Sequence, residues 1–323
     1  MLTEENLKRT PLYEDHVALG SKMVPFGGWE MPVQYEGIMG EYEKTRRAVT
    51  IVDISHMGEF VIEGDVEKSG LDKIVTQKIS DLPVKSCRYG AMLNDKGGVL
   101  DDLIIFREEE KKWFVVVNAS TTEKDAHHFQ THLTSQAKFK DISSQIGKLD
   151  VQGPLARETM IQFVPEITKL DYYHFDYFNL LGEKVLISRT GYTGELGYEI
   201  FYPWNKTKKL WQELTSPGKV APAGLGARDI LRLEMGYSLY GHELNEDISV
   251  LESGLSRFID FNKEFIGKNA LLLQQKHGMK RKIVGLESIN RKSPRQDQKV
   301  FLESGKEIGI ITSGTFSPAV NKG

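Results

Sequence analysis

The sequence predicts an α+β fold of more than one domain, and three observations carry that reading. With 323 residues, the chain is longer than one ordinary core supports. Two apolar runs, residues 99–106 (VLDDLIIF) and 113–119 (WFVVVNA), flank the charged turn REEEKK, an antiparallel hairpin signal with helical patterns on both sides. From about Lys282 the pattern turns strand-like again (KIVGLES, KVFLES, EIGIITSGTFSP), as in part of a separate β domain. No low-complexity run or long Pro/Gly/Ser linker intervenes, so the domains are expected to be closely joined.

Taken in order, the first 60 residues are rich in Gly and aromatics, as in FGGWEMPVQY, and lead into VDISHMGEFVIEG. The alternation from Glu59 to Glu63 predicts a strand, and Asp65 to about Lys78 spaces Val66, Ile74 and Val75 like a helix that buries one side. After the hairpin, Ser120 stands three residues before Glu123, a capping box for a helix running toward Ser135. LDVQG reads as a short strand, with Pro154 in the first turn of the next helix. Residues 184–190 (KVLISRT) and 198–202 (YEIFY) read as strands around a Gly-rich turn, and GLGARDILRLEMG as a Gly-rich lead into a short helix.

Composition narrows the function. Apolar residues make up 40% and charged residues 27%, normal for a globular protein, and no stretch approaches the roughly 20 apolar residues that span a bilayer. Forty-two Lys and Arg against 45 Asp and Glu leave a net charge of −3, which argues against a general attraction to nucleic acid or to an anionic membrane. The polar, acid-containing N-terminus lacks the marks of a secretory or transit peptide, so a bacterial cytoplasmic protein is expected, or a mitochondrial matrix protein after processing. Cys87 is the only cysteine: it excludes an internal disulfide and a multi-Cys metal site, and reads as a small buried apolar residue.

Three segments hold chemistry. In GGVLDDL, adjacent Asp101 and Asp102 point to opposite faces of an apolar strand, where a carboxylate is costly unless paired or hydrogen-bonded. With the turn centred on Glu110, Asp102 lies opposite Asn118; a one-residue slip puts Asp101 there instead. A polar heterocyclic ligand can use such a pair, and so can a structural hydrogen bond. In RTGYTGELGYE, Gly191, Gly194 and Gly197 permit positive φ and close approach, Tyr192 and Tyr198 offer flat surfaces with polar tips, and Glu195 and Glu199 offer carboxylates; a hairpin turn with a solvated Glu195 is the plainer reading. In GLGARD, Arg228 can hold an anionic or carbonyl-bearing ligand, or pair locally with Asp229 or Glu234. Phosphate-loop and dinucleotide fingerprints are absent, as are HExxH and any recognisable Ser/His/Asp arrangement.

Ten blocks together go further: RTPLYEDH, FGGWEMPVQY, VDISHMGE, GGVLDDL, VVNAS with EKD, VQGP, RTGYTGELGYE, PAGLGARDILRLEMG, LYGHELNED and ITSGTFSP. In this order and over nearly the whole chain they resemble the aminomethyltransferases, the T-proteins of the glycine cleavage system. The resemblance implies a three-domain cloverleaf, two mixed α/β domains and a C-terminal β barrel, around a central folate channel. Residues 1–55 with 140–250 then form one domain and 56–139 the second, while 251–279 connect to a partial barrel at 280–323. It further implies Asp102 as the catalytic carboxylate, and Met57, Tyr89, Asn118, Tyr192, Glu199 and Arg228 as folate-contacting positions, with no metal. Two departures stand out. Val250 replaces a common proline, and the chain stops at FSPAVNKG where family members continue by several tens of residues that complete the barrel and add a basic ligand contact, so a truncated chain is expected.

The implied reaction takes the one-carbon unit of an aminomethylated lipoyl carrier protein (H-protein) to tetrahydrofolate, releasing ammonia. Rivals are a folate-dependent demethylase, a non-catalytic folate-binding repair or assembly protein, and an inactive truncated paralogue. The second is marked by a KGCYxGQE-type segment, where this chain has TGYTGELGYE with no cysteine.

Overall fold

The computed structural model describes residues 7–216 and 220–323; residues 1–6 of the first expected domain lie outside the described residues. Helix α1 (Tyr13–Ala18) leads into a hairpin of β1 (Lys22–Phe26) and β2 (Trp29–Gln34). Gly27 and Gly28 form its turn at φ +57° and +87°, a left-handed conformation that tight two-residue turns require and that glycine adopts without strain. Helix α2 (Ile38–Arg47) then precedes β3 (Thr50–Asp53), which is buried throughout.

The next stretch builds a five-stranded antiparallel sheet. Its strands are β4 (Gly58–Glu63), β5 (Cys87–Leu93), β6 (Val99–Glu109), β7 (Lys112–Val117) and β8 (Lys138–Asp141), in the order β5-β6-β7-β4-β8. Helices α3 (Leu71–Ile74) and α4 (Thr122–His132) cover one face, burying Phe60, Ile62, Leu71, Ile74, Trp113 and Phe129. The predicted helix over residues 65–78 shrinks to α3, because Gly70 at φ +81° breaks the helical path and Val75 is extended and bridges to Met92. The capping box does not form either. Thr121 is the N-cap and makes no capping bond, its hydroxyl being turned to Asp101 and to the Asn118 carbonyl, and α4 ends at His132.

A second sheet is assembled from β9 (Ile146–Gln152), β10 (Phe175–Leu180), β11 (Glu183–Ser188), β12 (Gly197–Pro203), β13 (Ala221–Pro222) and the earlier β3, in the order β10-β11-β12-β9-β3-β13. Helices α5 (Ala156–Ile161) and α6 (Thr207–Thr215) close its outer face over Ile51, Leu149, Val151, Ile187, Ile200 and Trp211. Pro154 stands before the N-cap Leu155 rather than in the first turn. Helix α7 (Leu225–Glu234) packs beside α2 on Tyr42, Val52, Ile54 and Ala227.

The inner faces of the two sheets meet across an aromatic seam of Phe106, Phe114, Phe175 and Phe201. Phe201 meets Phe114 edge-on at 5.2 Å and Phe106 at 5.9 Å, a geometry that adds about 0.5–1.5 kcal/mol per pair beyond burial. This seam brings the chemistry of β6 toward that of β12.

Residues 244–271 pack a smaller core of Leu244, Val250, Phe265 and Leu271 onto Leu93 and Val99. Val250, at the position where proline was expected, is thus fully buried. Helix α8 (Lys268–His277) follows, then β14 (Lys299–Phe301) paired with β15 (Glu307–Ile310). The strand expected from Lys282 is absent: no neighbouring strand pairs with KIVGLES, and Val284 and Leu286 are exposed. Among the described residues the C-terminal segment forms this two-stranded sheet and no closed barrel. No described helix is long and apolar enough to cross a membrane.

Candidate functional site

Strand β6 carries the adjacent aspartates. Its register with β7, Ile104 opposite Val116, places Asp102 opposite Asn118 two residues further on, the unslipped alternative of the sequence reading. Alternation sends the two carboxyls apart. Asp101 is fully buried and accepts bonds from the Asn118 backbone N–H (2.9 Å), the Asn118 side-chain amide (2.9 Å) and the Thr121 hydroxyl (2.9 Å). Asp102 keeps partial access; it accepts from the Tyr89 hydroxyl (2.9 Å) and, on its other oxygen, from the same Asn118 amide (2.8 Å). Asn118 therefore ties the two carboxyls together. Tyr89 is held by an edge contact to Phe258 at 4.7 Å. Burial, and after it the charge of Asp101, raise the Asp102 carboxyl to about 7.

The second group lies on β9 and β12. Lys148, Asp150 and Gln152 share one face of β9 by alternation, and Glu199 of β12 sits opposite Asp150. The Lys148 ammonium reaches Glu199 at 3.2 Å, lies 4.7 Å above the Phe201 ring and donates toward the Met57 sulfur at 3.8 Å. Burial pushes Glu199 up, but Lys148 and the Thr190 hydroxyl outweigh it and hold the carboxyl below its ordinary range. Arg228, on α7, donates to Asp150, whose carboxyl burial nonetheless raises to about 6, and its guanidinium stands 5.0 Å from the Tyr192 ring centre. The local partners considered for Arg228 are taken by other arginines: Asp229 by Arg232, and Glu234 by Arg46.

Tyr192 links the groups. Its hydroxyl donates to the Ser238 carbonyl, its ring stacks on Tyr237 at 5.8 Å, and it lies within electrostatic reach of Asp102 and Tyr89. Of the three glycines around it, only Gly194 has positive φ (+79°); Gly191 and Gly197 lie so close to the Gln152 amide that a Cβ would overlap it. Glu195 is not solvated as expected but paired with Arg46 at 2.9 Å. Tyr198 faces the outer core, away from this group.

All seven sequence-predicted residues thus fall into one region: Asp102, Tyr89 and Asn118 on the first sheet, Met57, Glu199 and Arg228 around Lys148 and Asp150 on the second, and Tyr192 between them. Sequence reasoning missed Lys148 and Asp150. Two charged residues at strand spacing within the apolar run IGKLDVQ were the available signal. A cleft of about 230 Å³ opens beside Tyr237, Arg189 and Gly191, and one of about 300 Å³ beside Glu246, Ser249 and Gln274; Asp102 lines neither. Cys87 is buried with its thiol pushed up by burial, a poor nucleophile. No cluster of three or more His, Cys, Asp or Glu among the described residues is placed to hold a metal ion.

Fold and site define an enzyme-like binding protein, with a half-buried carboxyl raised toward neutrality near a planar ring-stacking platform. Residues 12–263 match the GCVT N-terminal domain and residues 281–323 the glycine cleavage T-protein C-terminal barrel domain. Aminomethyltransferases of Pseudothermotoga lettingae and Desulforamulus reducens are 42% and 43% identical to this chain, each over 323 residues, covering 98% of it and 88% of the relative. The crystal structure of glycine cleavage system aminomethyltransferase T from Bartonella henselae superposes with a TM-score of 0.90 at 31% identity, covering 98% of this chain and 88% of that one. The chain belongs to the glycine cleavage T-protein family.

Proposed function

We propose that the protein transfers the one-carbon unit of an aminomethylated lipoyl carrier protein to tetrahydrofolate, releasing ammonia and leaving 5,10-methylenetetrahydrofolate and dihydrolipoyl protein. The observation that carries the reading is the convergence of Asp102, Tyr89 and Asn118 with Tyr192 in a chain of this family. Tetrahydrofolate supplies the nucleophilic nitrogen, so the chain needs none of its own. Tyr192, stacked on Tyr237, offers a flat face for a heterocycle, and Asn118 and Tyr89 orient the Asp102 carboxyl. As ammonia departs, positive charge develops on the transferred carbon, and a carboxylate fixed beside it lowers that barrier without reorganising. Lys148, Glu199, Asp150 and Arg228 form the charged floor on which Met57 and Tyr192 rest. The domain division at residues 1–55 with 140–250, 56–139, 251–279 and 280–323 is proposed with this reading, on the support of the two sheets. So is a cytoplasmic location, on the support of bacterial relatives and a free, buried Cys87.

Ammonia release from aminomethylated carrier is the direct assay. It should depend on tetrahydrofolate, and tetrahydrofolate alone should raise the melting temperature, since a ligand that binds only the folded state stabilises it. Release that ignores folate, together with heat protection by a nicotinamide or flavin instead, would refute the proposal.

The partner is a lipoylated carrier, proposed to dock transiently through basic groups meeting an acidic carrier surface. Binding measured at rising salt should weaken as screening removes that attraction. An affinity indifferent to salt would remove the electrostatic part.

A further inference from the structure

Beneath Asp102 lies a third acid that the proposed reaction does not use. Asp125, in the EKD block on α4, is fully buried, and its carboxyl faces that of Asp101 within electrostatic reach. No N–H or O–H stands in good geometry to donate to either Asp125 oxygen. The nearby Thr121 hydroxyl has one proton, and its partners at 2.9 and 3.0 Å are Asp101 and the Asn118 carbonyl. Asp101, by contrast, receives three donors. Two carboxylates in contact cannot both be charged in a buried site, so the better-solvated one ionises and the other keeps a proton.

We propose that Asp125 is a positioning residue for the transfer: it retains a proton that it donates to Asp101, and by keeping Asp101 charged it fixes the charge that the Asp102 carboxyl faces across the shared Asn118 amide. The chain of contacts is short, from Asp125 to Asp101, from Asp101 through the shared Asn118 amide to Asp102, and from Asp102 to Tyr89. The other groups that face the trio are Lys124, which is anchored on Glu246 and Tyr240, Tyr240 itself, Tyr89 and Tyr192. Burial, and then the Asp101 charge, raise the Asp125 carboxyl to about 10, in keeping with a retained proton. If the donor is lost, Asp101 takes up the proton itself, its charge disappears, and Asp102 ionises at lower pH.

The role rests on the transfer reading, but one of its tests does not. Asp125→Asn keeps a neutral donor to Asp101 and should leave the pH profile of turnover where it is, with kcat within about twofold. Asp125→Ala removes the donor. It should move the neutral inflection of kcat to lower pH by about a unit, with KM for tetrahydrofolate unchanged. Independently of activity, infrared difference spectra should show a carboxylic-acid carbonyl band near pH 8 that is missing from Asp125→Asn. A shifted profile in Asp125→Asn, an unshifted one in Asp125→Ala, or no such band would each overturn the proposal. Should Asp125→Ala fail to fold, the band and the Asp125→Asn profile still decide. If no variant or wild-type protein turns over, the transfer reading fails, and the band alone tests the retained proton.

Discussion

Asp102→Asn is expected to leave the protein folded and able to bind tetrahydrofolate while turnover falls about 10²-fold or more, the usual reach of a positioned acid, base or charge. The amide preserves shape and can still take a bond from Tyr89 or Asn118, so binding geometry survives and the charge does not. Turnover of the wild type should rise with pH through about 7, as Asp102 loses its proton, and that inflection should vanish in the variant. The stability effect runs the other way. An acid whose folded value is raised binds its proton more tightly when native, so stability is lost as pH climbs from the unfolded value toward 7. Asp102→Asn escapes that loss and should be no less stable than wild type at neutral pH. Asp101→Asn is the control: it puts an amide where three donors converge and should cost about 1–3 kcal/mol of stability, with a smaller loss of turnover. Full turnover by a folded Asp102→Asn, or abolition by Asp101→Asn alone, would break the assignment.

Part of this site was legible because it is local. The hairpin of β6 and β7 has a charged turn near Glu110, which put either Asp102 or, with a one-residue slip, Asp101 beside Asn118, and the observed register selects Asp102. The floor under Met57 was not legible, because its charges come from β9, β12 and α7. The pairing of Glu199 with Asp150 joins strands that lie some fifty residues apart, so the motifs offered Glu199 and Arg228 as candidates without showing what they meet. Local signals also misled. The spacing of Val66, Ile74 and Val75 suits a helix, yet a left-handed Gly70 divides it into a turn, one helical turn and a bridge to Met92. Ser120 and Glu123 have the spacing of a capping box, but the Thr121 hydroxyl is drawn to the buried Asp101, a tertiary demand that local sequence does not reveal. The KIVGLES strand failed for want of a partner, since a strand needs a neighbour to satisfy its backbone groups.

Lys148→Met should be the most destabilising single change at the site, costing about 3–5 kcal/mol near neutral pH, the range for breaking a buried ion pair from one side. Methionine fills the space over the Phe201 ring but leaves the Glu199 carboxylate without its counter-ion in a pocket where both side chains are almost wholly shielded, 1% and 6% exposed. Arg228 is hydrogen-bonded to Asp150 and acts on Glu199 only at longer range, and burial pushes the Glu59 carboxyl, another acid near the same cation, well above its ordinary range. The pH dependence follows from Glu199. Its folded value is lowered, so the stability that the pair contributes is present above the ordinary carboxylate range and lost as pH falls through the folded value. The deficit of Lys148→Met, read from urea unfolding midpoints at constant m, should therefore be largest near neutrality and shrink in acid. Lys148→Met combined with Glu199→Gln removes both charges and should recover most of the loss, because two neutral side chains of similar volume need no counter-ion. If the single variant lost less than about 1 kcal/mol, or the double variant fell as far as the single, the pair would not be what holds β9 and β12 together beneath Met57.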